Sequence, residues 1–330
     1  MKERCVTALG EVLIDFTEAG LSLSGQALYE RNPGGAPANV AVAVARLGGR
    51  SAFIGKTGAD GFGAFLRETL SAAGVETGGM RVSSDQHTTL AFVSLAPNGE
   101  RTFSFARNPG ADTRLSGDEL DARLIETARF LHVGSLSLTH EPSRGATLRA
   151  IGLARAAGTL VSYDPNWRGA LWPDEKTGVD AMRSLMPLSD MVKVSDAELS
   201  LLYGASTDSL LGLSAGAREI LDAGPSLVLV TLGPAGVFFK TDSAEGVVGA
   251  ADVPVADTTG AGDSFVGALL FRLSAAADRG EDPFRRESAA LEADLRFANA
   301  VASLCVTRRG AIPAMPSLEE TERFMRERGL

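Results

Sequence analysis

Residues 257–265 read Asp257-Thr258-Thr259-Gly260-Ala261-Gly262-Asp263-Ser264-Phe265, which places a carboxylate inside a glycine-rich turn. Apolar residues recur at helical spacing from Phe265 onward, so a helix is predicted to begin near Ala261. Gly260 and Gly262 let the backbone direct its amides toward a ligand. Because a helix start has unpaired N–H groups and a positive dipole end, we expect an anion site here.

Asp263 would lie inside that anion site, where bound phosphate repels a carboxylate. We therefore interpret Asp263 as a general base that accepts a proton from an attacking hydroxyl group. The alternative is an aspartate that only caps the helix, since acidic residues are favoured at helix starts in any case. The turn alone does not separate the two interpretations.

A second glycine-rich segment, Asn32 to Gly49, leads into a helix of small residues. It contains Gly35 and Asn39, and Asn39 is expected on the first turns of the helix. There its amide can both donate to and accept from hydroxyl groups, which a sugar pocket requires. Small residues on a helix also indicate tight packing on a sheet, so both readings stay open at this point.

Strand-like and helix-like stretches alternate along most of the chain. This order predicts βαβ units, and hence an α/β fold with a mostly parallel sheet between helices. The predicted strands are Val6–Leu9, Ser51–Ile54, Phe130–Val133, Leu160–Tyr163, Met191–Val194 and Leu227–Thr231. Because such sheets bind ligands at the carboxyl ends of their strands, the motifs should meet at one edge.

Two segments interrupt the alternation, roughly residues 12–31 and 88–105. In the second, the alternating runs Leu90–Leu95 and Thr102–Phe105 flank Pro97-Asn98-Gly99. This pattern predicts a β-hairpin, whose plain interpretation is an ordinary antiparallel edge.

Composition narrows the function classes. The chain has 330 residues and a net charge of −9, without a sustained Lys/Arg block, which argues against binding to nucleic acid or an anionic membrane. Two distant cysteines, Cys5 and Cys305, favour neither a disulfide framework nor a zinc site and fit a cytoplasmic protein. We expect no secretory signal and no transmembrane span. Neither a Walker A motif nor a GxGxxG after the first strand is present, which argues against P-loop kinases and nicotinamide-dependent enzymes.

The chain resembles the PfkB family of carbohydrate kinases, and within it the fructokinase branch. The N-terminal family signature is similar to Asn32–Gly49 followed by Phe53–Gly63, and the C-terminal signature is similar to Asp257–Phe265. Further similar segments are Gly10–Phe16, Asp164–Arg168 and Val230–Gly236. The resemblance covers nearly the whole chain. It implies a single ribokinase-like domain over residues 1–330, with three α/β/α layers and a small β-sheet lid from about 12–31 and 88–105.

The resemblance also implies phosphoryl transfer from ATP to the terminal hydroxyl of a sugar. Asp263 would be the general base, and the amides of Gly260, Ala261 and Gly262 would stabilise the transferring phosphoryl group. The implied sugar-binding residues are Asp15, Gly35, Asn39 and Arg168. For Asp15, a loop aspartate that caps local amides remains an alternative.

Contacts with ATP are implied by family position. They involve Lys193, Thr231, Gly233, Gly236 and Asn299. For Lys193 and Asn299 the alternative is a solvated polar residue at a strand end or on a helix face.

Two ion sites are implied as well. Glu198 keeps the acidic position of an Asn-x-x-Glu pair, in which Ser195 replaces the asparagine, and would reach Mg²⁺ through water. A K⁺ site is implied near Asp257, Thr259 and Gly310.

These inferences together predict ATP-dependent phosphorylation of a ketohexose, with fructose to fructose 6-phosphate as the preferred reaction. The stretch Gly99–Asp112, which ends in Arg-Asn-Pro-Gly-Ala-Asp, resembles fructokinases. 2-Keto-3-deoxygluconate kinase, ribokinase and nucleoside kinase remain alternatives, and a sugar sensor without transfer activity is the alternative from another class. The resemblance further implies a homodimer formed through the lid.

Overall fold

A large β-sheet with helices on both faces supports the rest of the protein. The structure is a computed structural model that describes residues 2–95 and 101–330. The strands are β1 (Arg4–Leu9), β2 (Leu13–Leu21), β3 (Ala27–Gly34), β4 (Ser51–Gly58), β5 (Glu76–Ser83), β6 (Leu90–Leu95), β7 (Arg101–Ala106), β8 (Ala128–Gly134), β9 (Leu160–Asp164), β10 (Met191–Ser195), β11 (Leu227–Thr231), β12 (Val237–Lys240) and β13 (Glu245–Val248). The helices are α1 (Ala36–Arg46), α2 (Gly61–Ala72), α3 (Ala122–Glu126), α4 (Ser143–Ala156), α5 (Glu175–Ser184), α6 (Asp196–Tyr203), α7 (Leu210–Asp222), α8 (Ala261–Asp278), α9 (Ser288–Cys305) and α10 (Leu318–Arg328).

The large sheet has nine strands within the described ranges, in the order β13-β12-β11-β10-β9-β8-β1-β4-β5. All six strands predicted from the sequence belong to it, and they pair with one another in parallel. Among the described strands of this sheet, the antiparallel pairs are β11 with β12 and β12 with β13, at one side of the sheet. The prediction of a mostly parallel sheet is confirmed.

Successive residues of the strands point into two different helix layers. Phe130 and Leu229 pack with α1, α8 and α9, whereas their neighbours Leu131 and Val230 pack with α4, α5, α6 and α7. Because side chains alternate along a strand, one apolar run supplies both interfaces. This arrangement confirms the predicted three-layer α/β/α architecture.

The predicted helix after the glycine turn is α8, which begins at Ala261. Its apolar residues Phe265, Leu269 and Leu273 are buried against the sheet and α9. Each large apolar side chain removed from water stabilises the fold by about 2 kcal/mol. The first turn of α8 is therefore anchored firmly beside the sheet edge.

A second sheet, in the order β3-β2-β6-β7, contains both segments that interrupted the alternation. β6 and β7 pair antiparallel, so the two strands of the predicted hairpin are confirmed. Its turn, predicted at Pro97-Asn98-Gly99, lies outside the described residues. Asp15 and Thr17, two residues apart on β2, line a cavity, while Phe16 stacks on Phe92 with ring centroids 5.3 Å apart. Across the described ranges, we find no helix with the length and apolar character needed to cross a bilayer.

Candidate active site

Two adjoining cavities of about 390 and 480 Å³ lie where the parallel strands end, and they share Thr231, Thr258 and Gly262. Every site residue predicted from the sequence lines at least one of them. The first cavity is lined by Asp15, Gly35, Asn39, Arg168, Lys193, Glu198, Thr231, Asp257, Thr259, Gly260, Gly262, Asp263 and Gly310. The second is lined by Thr231, Gly233, Gly236, Ala261, Gly262 and Asn299. The fold thus brings the separate sequence motifs to one place.

The first turn of α8 requires glycine for reasons visible in its geometry. Gly260 caps the helix in the left-handed region, with φ 79°, and a Cβ there would lie 2.8 Å from Cβ of Ala311. A Cβ on Gly262 would lie 3.1 Å from Nζ of Lys193. These close approaches leave the first amides of α8 next to an ammonium group, which is a favourable setting for an anion.

Asp263 is buried in the first turn of α8 and is hydrogen-bonded to Asn39. The Asn39 Nδ2 donates to Asp263 Oδ2 over 2.7 Å. Burial raises the pKa of Asp263 above its usual value, against the Asn39 hydrogen bond and the positive charges of Lys193 and Arg168, which lower it. A carboxylate with a raised pKa is a stronger proton acceptor than an ordinary aspartate.

Lys193 is buried, so its interpretation as a solvated charge is wrong. Its Nζ lies 3.0 Å from Oδ2 of Asp164, and both side chains are more than nine-tenths buried. Burial by itself lowers the pKa of Lys193, but the carboxylates of Asp164 and Glu198 outweigh this effect and raise the pKa overall. Burial raises the pKa of Asp164 to about 7, with Lys193 acting in the opposite direction.

Glu198 is held by backbone amides at the start of α6. Its Oε2 accepts hydrogen bonds from the N–H and hydroxyl of Ser195, at 2.7 and 3.0 Å, and its Oε1 accepts from the N–H of Trp167 at 2.7 Å. Ser195 and Glu198 form a capping box. Burial raises the pKa of Glu198, but the charge of Lys193 and these hydrogen bonds outweigh burial. The pKa therefore lies below its usual value, and the carboxyl group is ionised. The serine that replaces the usual asparagine therefore orients the glutamate.

Asp257 joins two loops of the first cavity. Its Oδ1 accepts from the backbone N–H and the hydroxyl of Thr259, and its Oδ2 accepts from the N–H of Gly310 over 3.0 Å. Within the described ranges, no group of three or more His, Cys, Asp and Glu residues is arranged to hold a metal ion. The loops are thus fixed relative to one another by the aspartate itself.

Asn299 is buried in the second cavity, so its interpretation as a solvent-facing residue is wrong. Its Nδ2 donates to the carbonyls of Val248 and Gly249, at 2.8 and 3.1 Å. Gly236, with φ 98°, lies so close to the same segment that a Cβ would overlap the Val248 carbonyl. The two residues together shape the wall of the second cavity.

Sequence reasoning missed several polar residues in the first cavity, among them Glu11 and Asn166. Glu11 is 3% exposed, its Oε1 accepts from the N–H of Ala36 at 3.1 Å, and burial raises its pKa to about 7. Asn166 has φ 54°, the one positive value among non-glycine residues in the described ranges. Both belong to segments that the family resemblance had marked, and a polar residue just past a strand end was the available signal.

The fructokinase-like stretch contains a buried ion pair that does not line the cavity. Arg107 Nε and Nη2 donate to Oδ2 of Asp112 at 2.8 and 2.7 Å, and the guanidinium also bonds the Leu136 carbonyl and the Thr139 hydroxyl. Phe105 of the same stretch does line the cavity. The Arg-Asn-Pro-Gly-Ala-Asp motif is therefore part of the supporting structure.

The site combines a buried carboxylate, a helix-start anion turn and two joined cavities of different polarity, which defines an α/β group-transfer enzyme. The sequence model of the pfkB family carbohydrate kinase matches residues 4–318. The chain belongs to the pfkB family of carbohydrate kinases, so the resemblance seen in the sequence is confirmed.

Individual relatives agree over nearly the full chain. A probable fructokinase-7 of Arabidopsis thaliana is 43% identical over 97% of this chain and 92% of its own. A Xylella fastidiosa fructokinase with bound ATP is 36% identical, with a TM-score of 0.89 over 99% of this chain and 100% of that one. A double mutant of the Vibrio cholerae fructokinase, with fructose, ADP and potassium bound, is 35% identical with a TM-score of 0.86 over 97% of each chain.

Proposed function

We propose that this protein transfers the γ-phosphoryl group of ATP to the terminal 6-hydroxyl of fructose. The observation that carries the proposal is the buried Asp263 at the helix-start turn where the two cavities join. An acceptor hydroxyl in the first cavity and a nucleotide in the second would meet at this carboxylate. The fructokinases to which the chain is similar include proteins with ATP and with fructose bound.

The first cavity would hold the sugar. Asp15, Asn39 and Arg168 offer a carboxylate, an amide and a guanidinium, while Gly35 permits close approach of the backbone. Asn39 has a second task, because its hydrogen bond fixes the orientation of Asp263. Asp263 would accept the proton of the 6-hydroxyl as that oxygen attacks the phosphorus.

The turn of α8 and the second cavity would hold ATP. The amides from Gly260 to Gly262 and the Lys193 ammonium would stabilise charge on the transferring phosphoryl group. The mostly apolar second cavity, shaped by Asn299 and Gly236 and also lined by Thr231 and Gly233, would take the nucleoside.

Bound cations are also part of the proposal. Magnesium would neutralise phosphate charge, and Glu198 fits a water-mediated contact because the amides that hold it leave the carboxylate ionised at the cavity wall. A potassium ion would lie beside Asp257, Thr259 and Gly310. The fixed geometry of these loops supports this site, as does the potassium in the Vibrio cholerae relative.

The second sheet would act as a lid and as a dimer contact. Asp15 and Thr17 on its cavity face would cover the sugar, and exclusion of water prevents hydrolysis of ATP. On the same sheet, Leu28 and Tyr29 are 47% and 44% exposed, and a second copy of the chain would cover them. Light scattering of the purified protein tests this: a mass of one chain contradicts the dimer. The free thiols Cys5 and Cys305 support a cytoplasmic location.

A coupled assay of ADP release tests the proposal. Mg·ATP would be supplied with fructose, 2-keto-3-deoxygluconate, ribose or a nucleoside, each with and without K⁺. We expect the highest kcat/KM with fructose and an increase with K⁺. Preference for 2-keto-3-deoxygluconate, ribose or a nucleoside would overturn the substrate assignment and keep the chemistry. Absence of turnover with every acceptor would favour a sugar sensor.

A further inference from the structure

Asp164, the last residue of β9, has no part in the proposed reaction although it lies beside the reacting groups. It is 1% exposed and lines neither cavity. Its Oδ2 lies 3.0 Å from Nζ of Lys193 on the neighbouring strand β10. Apart from this ion pair, neither of its oxygens has a hydrogen-bond partner among the described groups. The carboxylate is therefore committed to Lys193.

Lys193 connects this buried carboxylate with the anion turn. Its side chain lines the first cavity, and its Nζ lies 3.1 Å from the position that a Cβ on Gly262 would occupy. A lysine has a flexible four-carbon stem and three rotatable donors, so by itself it defines the position of its charge poorly. The ion pair with Asp164 fixes the ammonium between the strand end and the turn.

Two other carboxylates compete for the same ammonium. Glu198 and Asp263 both act electrostatically on Lys193, as Asp164 does. If Lys193 paired with Asp263, the base would lose its readiness to accept a proton and the phosphate would lose a cation. Pairing with Glu198 would commit the ammonium to a carboxylate that backbone amides already hold. The position of Lys193 thus depends on which of three acids holds it.

We propose that Asp164 is a positioning residue, which holds Lys193 at the Gly262 turn so that its ammonium meets the transferring phosphoryl group and not Asp263. This inference rests on the proposed function. Asp164 touches neither substrate in this arrangement and acts through Lys193 alone. Its pKa of about 7 is consistent with a carboxylate whose ionised form depends on that one partner.

A double-mutant cycle tests the inference. The variants are Asp164→Asn, Lys193→Met and the pair together, and kcat and KM are measured separately for Mg·ATP and fructose. Because misplaced groups near the reacting atoms can lower rates about 10²-fold, Asp164→Asn should lower kcat/KM for ATP by about that factor. KM for fructose should stay within about twofold of the wild-type value. In the Lys193→Met background, the same change should cost less than about threefold.

Two results would overturn the positioning role. One is a wild-type kcat/KM in Asp164→Asn, and the other is an equally large loss of kcat/KM when Asp164→Asn is introduced into the Lys193→Met variant. If Asp164→Asn alone fails to fold, Lys193→Met and the double variant still give the decisive comparison, since removing both charges leaves none unpaired. The matched control is Asp190→Asn just before the start of β10, where the carboxylate accepts from the N–H of Val161. Equal kinetic loss in that control would show a general structural effect and reject the positioning role.

The test of the positioning role can be distinguished from the test of the proposed function. If the wild-type protein shows no fructose-dependent ADP release, the proposed function fails, and the cycle is repeated on ATP affinity by calorimetry. Coupling between Asp164 and Lys193 in ATP binding would then support the positioning role, and independent effects would reject it.

Discussion

The two cavities at the N-terminal end of α8 have similar volumes but are lined by very different residues. The first is lined by ionisable and amide side chains, among them Asp263, Lys193 and Asn39. The second is lined mainly by apolar residues. The side-chain amide of Asn299 in this cavity donates its hydrogen bonds to backbone carbonyls of the protein. Charged side chains are thus concentrated in the cavity where the phosphoryl group would be transferred. The second cavity would bind its ligand mainly through apolar contacts.

The largest expected effect comes from the base. Asp263→Asn keeps the volume and the acceptor for Asn39 but removes the proton acceptor, so kcat should fall by about 10²–10⁴-fold. Affinities for ATP and fructose, measured by calorimetry, should persist. Asp278→Asn, which alters a surface aspartate paired with Arg129 at the far end of the same helix, serves as the control and should leave kcat unchanged. A kcat near the wild-type value for Asp263→Asn would exclude its role.

A second substitution tests the boundary between the cavities. Gly262→Ala places a methyl group 3.1 Å from Nζ of Lys193, so the ammonium must shift by a few tenths of an ångström. We expect kcat/KM for ATP to fall by about 10- to 10²-fold in steady-state assays. Gly61→Ala, at the first residue of α2, meets nothing within 4 Å and is the matched control. Equal rates for both variants would show that the Gly262 contact has no role in ATP use.

A substitution in the second cavity should change KM for ATP and leave kcat nearly unchanged. Asn299→Ala removes two hydrogen bonds to the carbonyls of Val248 and Gly249, and each contributes about 1 kcal/mol. If about 1.4 kcal/mol of this loss appears in ATP binding, KM for ATP rises about tenfold, while kcat stays within about twofold. Arg296→Ala, an exposed change on the same helix, should alter neither constant. A fall in kcat alone would mean that the division between the cavities is wrong.

The smallest effect concerns stability and the strand behind the site. Burial lowers the pKa of His132 to about 3, so the folded protein keeps it neutral while the unfolded chain protonates below about pH 6.5. This group therefore removes stability as pH falls from 6.5 toward 3, by about 2 kcal/mol at pH 5. The free energy of unfolding in urea of the wild type, relative to that of His132→Gln, should fall by about 1.6 kcal/mol between pH 6.5 and pH 5.

Two buried acids of the folded protein act with the opposite sign. Raised pKa values of Glu11 and Asp164 stabilise the folded state as pH falls, because it binds protons before the unfolded chain does. Both proteins in the comparison share this contribution, so it cancels. An unchanged difference between wild type and His132→Gln would contradict a neutral, buried His132.

The fold was predictable because its signals are local and periodic. Six apolar runs with intervening helical stretches predicted six parallel strands, and the spacing after Phe265 predicted α8. The motif segments supplied the residues that line both cavities. What the sequence did not contain was the pairing of side chains within the site.

These pairings depend on geometry between distant parts of the chain. The hydrogen bond from Asn39 to Asp263 spans 224 residues, and no pattern around either residue encodes it. Lys193 lies in the middle of β10, although lysine is usually solvated, and its buried partner Asp164 explains its position. The Arg107–Asp112 pair likewise looked like a substrate signature and is a buried support.

The most direct test of the central claim is the position of the phosphate in the product. Fructose labelled with ¹³C, incubated with the protein and Mg·ATP, would be followed by ³¹P and ¹³C NMR. We expect a phosphomonoester on the 6-oxygen of fructose. A product phosphorylated at another oxygen, or free phosphate without a sugar ester, would contradict it.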